Sequence, residues 1–103
     1  MKSKSYFRRI TGSAARPRLR VFRSLQEIYA QIIDDSIGKT LIAADSRSHL
    51  GSLTKKAVSV GTEIAKVAKT KKIKCVVYDR GRYAYMGAVK ELAEAARKEG
   101  LDF

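Results

Sequence analysis

Two kinds of charged residue in this chain are spaced for chemistry. The first is a set of arginines in residues 16–23, RPRLRVFR, where Arg16, Arg18, Arg20 and Arg23 fall within eight positions. Guanidinium groups at alternate positions of an extended segment project from one side, and their planar forks match phosphate bidentately. The second is a set of carboxylates, Asp34, Asp35, Asp45 and Asp79. Several acids meeting at strand ends can hold Mg²⁺ for phosphoryl chemistry. A basic face for a polyanion and an acidic catalytic site are therefore the two readings to separate.

Charge favours the first. The 103 residues carry 22 Lys and Arg against 10 Asp and Glu, a net charge of +12. The excess is uneven: Lys2, Lys4, Arg8, Arg9, Arg16, Arg18, Arg20 and Arg23 stand among residues 1–26 with no acid between them. The other 77 residues hold 14 cations and 10 acids, a balance of only +4. This is the pattern of a basic arm on a nearly neutral domain, and counterion release on phosphate makes nucleic acid the expected partner. An anionic membrane would attract the same charges, but residues 1–15 offer only Tyr6, Phe7 and Ile10 as large apolar groups, too few for stable anchoring. No apolar run has transmembrane or signal-peptide length, so a cytoplasmic setting is expected.

The catalytic alternatives are thin. Asp34 and Asp35 precede Ser36 and Gly38 in a turn, where Asp is ordinary, and Asp79 is placed to pair with Arg80 or to cap its loop. The strand-centre carboxylates of a small RNase-H-like nuclease are missing. His49 is the only histidine and has no second ligand near it in sequence; no phosphate-binding glycine motif or nucleophile elbow occurs. Cys75 is the only cysteine and lies in an apolar run, which suggests a buried, inert thiol. No enzyme activity, cofactor or metal is expected.

The elements that would position the basic residues follow from periodicity. Residues 1–17 read as a flexible basic arm and 18–103 as one globular domain. From Arg18 the pattern has period 2: Leu19 and Val21 on one side, Arg18, Arg20 and Phe22 on the other. Ile28, Ala30 and Ile32 alternate with Tyr29, Gln31 and Ile33, and Thr40–Ala44 forms a third strand after the turn at 34–39. A three-stranded antiparallel meander results, whose outer face carries Arg18, Arg20, Tyr29 and Gln31. A helix follows with the stripe Ala57, Val60, Gly61, Ile64, Val67 and Ala68, Thr54 as N-cap and a lysine-rich end. The apolar run Ile73–Asp79 predicts a central strand parallel to an earlier one. A last helix spans about Met86 to Glu99, closed by Gly100 at the C′ position with Leu101 supplying the apolar contact. The order βββαβα describes an α+β, mixed-sheet fold with both helices packed on the sheet.

The loop YDRGRYAYMG, residues 78–87, leaves a strand end and enters a helix, where open α/β sheets place their ligands. Gly81 permits close backbone approach, Arg80 and Arg82 suit phosphate, and Tyr83 and Tyr85 suit stacking or hydrogen bonding to nucleotides.

Three separated motifs, RPRLRVFRS (16–24), IYAQIIDD (28–35) and YDRG (78–81), together with the closing AARKEGLDF (95–103), resemble the bacterial ribosomal protein L18 family. The likeness runs from about Gly12 to Phe103. It departs at Met86-Gly87-Ala88, where the family usually has a His-Gly-Arg-type sequence, and in a shorter basic arm. The resemblance implies a structural, non-enzymatic protein of the large ribosomal subunit, monomeric within the cytoplasmic ribosome. It also implies binding to 5S rRNA in the central protuberance, with 23S rRNA and a neighbouring 5S-binding ribosomal protein as further partners. Carried over by motif, Arg16, Arg18, Arg23, Ser24, Tyr29 and Gln31 belong to a first RNA-facing segment and Arg80, Gly81, Tyr83 and Tyr85 to a second. The charge pattern adds Lys2, Lys4, Arg8, Arg9 and Arg20, and the loop adds Arg82.

Overall fold

The structure, a computed structural model, describes residues 11–103. Its elements follow the order βββαβα: β1 (Arg18–Arg23), β2 (Ile28–Asp34), β3 (Lys39–Asp45), α1 (Leu53–Thr70), β4 (Val77–Asp79) and α2 (Gly87–Lys98). The sheet order is β3-β2-β1-β4. β1, β2 and β3 pair antiparallel and β4 lies parallel to β1, so the sheet is mixed.

The period-2 alternation decides which side of the sheet is wet. Leu19, Val21, Ile28, Ala30 and Ile32 are fully buried on the inner face. Helix α1 meets them with Ala57, Val60, Ile64 and Ala68, and α2 adds Val89, Leu92 and Ala96 to the same core. Gly61 marks the close crossing of the two helices. A β-carbon there would run into the Leu92 carbonyl oxygen and come within 3.1 Å of the Ala95 side chain. The outer face carries Arg18, Arg20 and Phe22 on β1 opposite Ile33, Gln31 and Tyr29 on β2, while α1 and α2 pack on the other, inner face.

Three local expectations are corrected. The N-cap of α1 is Ser52, not Thr54: the Ser52 hydroxyl accepts the Lys55 N–H, and the helix starts at Leu53. The apolar run 73–79 is not a central strand of seven residues. Only Val77–Asp79 pair with β1, at the sheet edge. The preceding residues turn their hydrogen bonds to the chain end instead: Val76 N–H donates to the Asp102 carbonyl at 3.0 Å and Asp102 N–H to the Lys74 carbonyl at 2.8 Å. That chain end is brought there by the expected helix stop, Gly100 at φ 111° with Leu101 buried beneath it. Cys75, bridged to Asp102, is consequently half-buried rather than sealed in the core.

Candidate nucleic-acid interface

The outer face was expected to carry Arg18, Arg20, Tyr29 and Gln31, and the strand register places all four there. Arg20 lies opposite Gln31 and Phe22 opposite Tyr29, with Asp45 beyond Tyr29 on β3. Phe22 and Tyr29 are thus register partners on the outer face, and the Arg20 guanidinium stacks on the Phe22 ring at 4.6 Å. Phe22 keeps 39% of its surface accessible and lies outside the residues singled out from sequence. The signal that finds it is the same alternation that found Arg20, since positions 18, 20 and 22 share a face.

The carboxylates do not converge on a metal site; three of the four, Asp35, Asp45 and Asp79, hold arginines. Asp34 is buried and accepts the Ser36 N–H at 3.0 Å and the Ser36 hydroxyl at 2.5 Å, closing the β2–β3 turn. Asp35 receives the fork of Arg18, Nε at 3.0 Å and Nη2 at 3.1 Å. Asp79 receives Arg18 Nη1 at 2.9 Å and Arg20 Nη1 at 3.1 Å on one oxygen, and the Gly81 N–H at 2.9 Å on the other. Asp79 therefore caps its loop as expected, but its ion partners are Arg18 and Arg20, not Arg80. Asp45 pairs with Arg47 at 3.0 Å. Among the described residues no group of three or more His, Cys, Asp or Glu is gathered to hold a metal ion.

Protonation follows these contacts. The Arg18 pKa is raised, first by its hydrogen bonds to Asp35 and, against the cost of burial, by those to Asp79. Burial acts to raise the Asp79 pKa, yet the donors from Arg18, Gly81 and Arg20 outweigh it and hold the carboxyl below its ordinary value. Both groups are charged at neutral pH and fixed in place.

The loop 80–86 is anchored on two sides. Gly81 adopts φ 60°, and a β-carbon there would press on the Arg20 guanidinium at 3.3 Å, which is why the smallest residue stands here. The Arg80 guanidinium donates to the Tyr83 carbonyl, closing the turn. The Tyr83 hydroxyl takes the Arg23 N–H at 3.1 Å and donates to the Arg23 carbonyl at 3.2 Å, pinning the loop to the end of β1. Tyr85 goes elsewhere. Its hydroxyl accepts Arg97 Nη1 at 2.8 Å and its ring meets Tyr78 edge-on at 6.4 Å, on the side of α2 and the chain end. The two tyrosines expected to act together are thus divided between two surroundings.

The remaining expected residues fall around this frame. Arg16 is exposed, donates to the Val76 carbonyl at 3.3 Å and lies 4.0 Å from Asp102. Ser24 shapes the β1–β2 turn, its hydroxyl accepting the Glu27 N–H at 3.1 Å. That turn is held against α1 by Ser46, buried, which donates to Glu27 at 2.6 Å while Lys56 reaches the same carboxylate at 3.4 Å. Tyr29 and Gln31 are half-buried, and Arg82 is exposed. Lys2, Lys4, Arg8 and Arg9 lie outside the described residues. Just after them the chain is tied down: Gly12 N–H donates to Asp35 at 2.6 Å, and Pro17 is buried.

A cationic segment, an exposed sheet face with aromatics, and a loop pinned beside it are what a sequence comparison must account for. The family described as ribosomal L18 of archaea, bacteria, mitochondria and chloroplast matches residues 3–103. The chain belongs to the ribosomal L18 family. Curated relatives agree. A large ribosomal subunit protein uL18 of Lactiplantibacillus plantarum is 54% identical over 98 residues, covering 92% of this chain and 83% of the relative. That of Lysinibacillus sphaericus is 52% identical over 99 residues, with the same coverage. That of Solibacter usitatus is 50% identical over 101 residues, covering 93% and 84%. As an L18 protein the chain is a structural, RNA-binding constituent of the large ribosomal subunit and not an enzyme, and its place is the ribosome, cytoplasmic in bacteria.

Proposed function

We propose that the protein binds 5S rRNA and helps attach it to 23S rRNA in the central protuberance, beside another 5S-binding ribosomal protein. In this reading residues 1–17 form a basic arm and residues 18–103 a single RNA-binding domain. The observation that carries it is the sheet face opposite the two helices. Its centre is aromatic and amide in character, with Phe22, Tyr29 and Gln31, and Tyr83 pins the loop bearing Arg80 and Arg82 next to it. Single-stranded or distorted RNA offers bases to such a face, while phosphates meet the cations around it. Lys2, Lys4, Arg8, Arg9, Arg16 and Arg23 supply sequence-independent affinity. Ser24, Tyr29, Gln31, Gly81, Tyr83 and Tyr85 fix the register, the last from the α2 side of the loop.

Affinity for 5S rRNA is compared with that for an unrelated folded RNA of equal length across a salt series. Both weaken with salt, by roughly 0.7–0.9 log units per decade for each phosphate neutralised. A 5S advantage that persists at physiological salt supports the reading, whereas coincident curves leave charge alone as the binding force and refute it.

A further inference from the structure

The arginines most visible in the sequence are the ones least able to add positive potential. Arg18 and Arg20 stand against Asp35 and Asp79, two cations on two anions, and the group is neutral. For a chain of +12 with a polyanion as partner, two carboxylates beneath the binding face only cancel cations that would attract the ligand unless they do something else. Their hydrogen bonds show what that is. A continuous chain of contacts runs from the Gly12 N–H to Asp35, through the Arg18 fork to Asp79, and on to the Gly81 N–H. One end is the point where the acid-free segment joins the domain. The other sets the turn from which Arg80, Arg82 and Tyr83 are displayed. Arg20 braces the second end, lodged between the Phe22 ring and Gly81.

We propose that Asp35 and Asp79 are positioning residues for RNA. Through Arg18 they fix the exit of the basic segment and the 80–85 loop at one spacing, which matches two sites on the ligand. The inference rests on 5S rRNA being that ligand and specifies what sets the distance between its two contact segments. Neither carboxylate touches RNA, and removing either raises the protein's net charge by one. Charge alone therefore requires tighter binding to any RNA, whereas positioning requires weaker binding to the matched one. The two accounts differ in sign.

The test uses the full chain with Asp35→Asn and, separately, Asp79→Asn. Each is measured against 5S rRNA and the unrelated folded RNA across the salt series, well below its melting temperature. The expected result is control-RNA affinity unchanged or slightly raised, 5S affinity lowered about tenfold at physiological salt, and unaltered salt slopes, since no phosphate contact is lost. Variants that fold and keep the wild-type 5S preference, or bind 5S more tightly, overturn the inference while leaving the ligand reading intact. A wild-type chain with no 5S preference overturns that reading and the inference with it. If Asp79→Asn does not fold, Asp35→Asn, at the more open end, carries the test. If neither folds, the network is only structural support and the positioning role is refuted.

Discussion

Arg18 and Arg23 look interchangeable in the sequence RLRVFR, and the structure predicts opposite consequences for replacing them. Arg18→Gln removes three charge-assisted hydrogen bonds of 2.9, 3.0 and 3.1 Å. A bond of that kind contributes about 1.5–3 kcal/mol. The Arg18 side chain is still 20% accessible, so water replaces part of the loss. Arg20 stays on Asp79 and the Gly12 N–H on Asp35, which offsets more. A net destabilisation of about 2–3 kcal/mol remains, below the ~3–5 kcal/mol typical when a fully buried pair is broken. In a domain of this size it lowers the melting temperature by about 10–20 °C. The salt slope of RNA binding should not change, because the lost cation was already neutralised. Among the described residues the Arg23 guanidinium has no partner; only its backbone is engaged, by Tyr83. Arg23→Gln should leave stability within ~0.5 kcal/mol and reduce the salt slope by roughly 0.7–0.9. Thermal melts and salt titrations on the two variants decide the matter. A stable Arg18→Gln with a reduced slope, or a destabilised Arg23→Gln with an unchanged one, would refute the division of the arginines into struts and ligands.

Gly61→Ala sets helix propensity, worth about 1 kcal/mol in favour of Ala, against a clash with the Leu92 backbone carbonyl. Because backbone cannot swing aside, we expect overpacking of ~1–3 kcal/mol to win and the melting temperature to fall; a rise would show that the helices separate freely. Tyr83→Phe strips the partner from both the N–H and the carbonyl of Arg23, costing about 1–2 kcal/mol and loosening the loop. Faster amide exchange at Arg23 with lower 5S affinity is the expected result, and unchanged exchange would contradict it. Tyr78, whose hydroxyl donates to the Val89 carbonyl at 2.8 Å, has its pKa raised, chiefly by burial. The folded state then keeps a proton that the unfolded chain releases near pH 10, so stability is intact below that pH and falls as pH rises above it. Ultraviolet titration should show Tyr78 ionising only as the protein unfolds, and its ionisation near pH 10 in the folded protein would exclude this.

Much of this arrangement is legible in the sequence because it is local. Alternation from Arg18 to Ile33 separates Leu19, Val21, Ala30 and Ile32 from Arg20, Phe22, Tyr29 and Gln31 without any knowledge of what lies across the sheet. The helical stripes are equally local, and Ala57, Val60, Ile64 and Leu92 all enter the core. What is not legible depends on contacts made at long range. Arg18 and Asp79 are 61 positions apart, and nothing in either neighbourhood says that they meet. A short apolar run such as Ile73–Val77 fits a central strand or an edge strand sheltered by another segment, and only the return of Asp102 beside it decides. Tyr83 and Tyr85 alternate like partners, but a loop has no fixed period, and each tyrosine follows the donor it finds.

The separation of roles on this surface follows from electrostatics in a basic chain. A binding face made only of arginines would repel itself before it met RNA, and long unpaired side chains would lose rotamer freedom on binding. Here the repulsion is removed where geometry matters most. Arg18 and Arg20 are cancelled by Asp35 and Asp79 and held rigid at the join between β1, β4 and the loop. Among the described residues Arg23 and Arg80 have no acid partner; they lie at the strand end and in the loop, where a phosphate could reach them without deforming the frame. Between the two sits the stacked surface of Phe22 under Arg20, with Tyr29 beside it. An RNA that satisfies the outer cations alone binds weakly and with steep salt dependence. On the proposed interface, one that also presents bases at the spacing set by the frame would gain contacts that salt does not screen, and that difference is the selectivity the proposal requires.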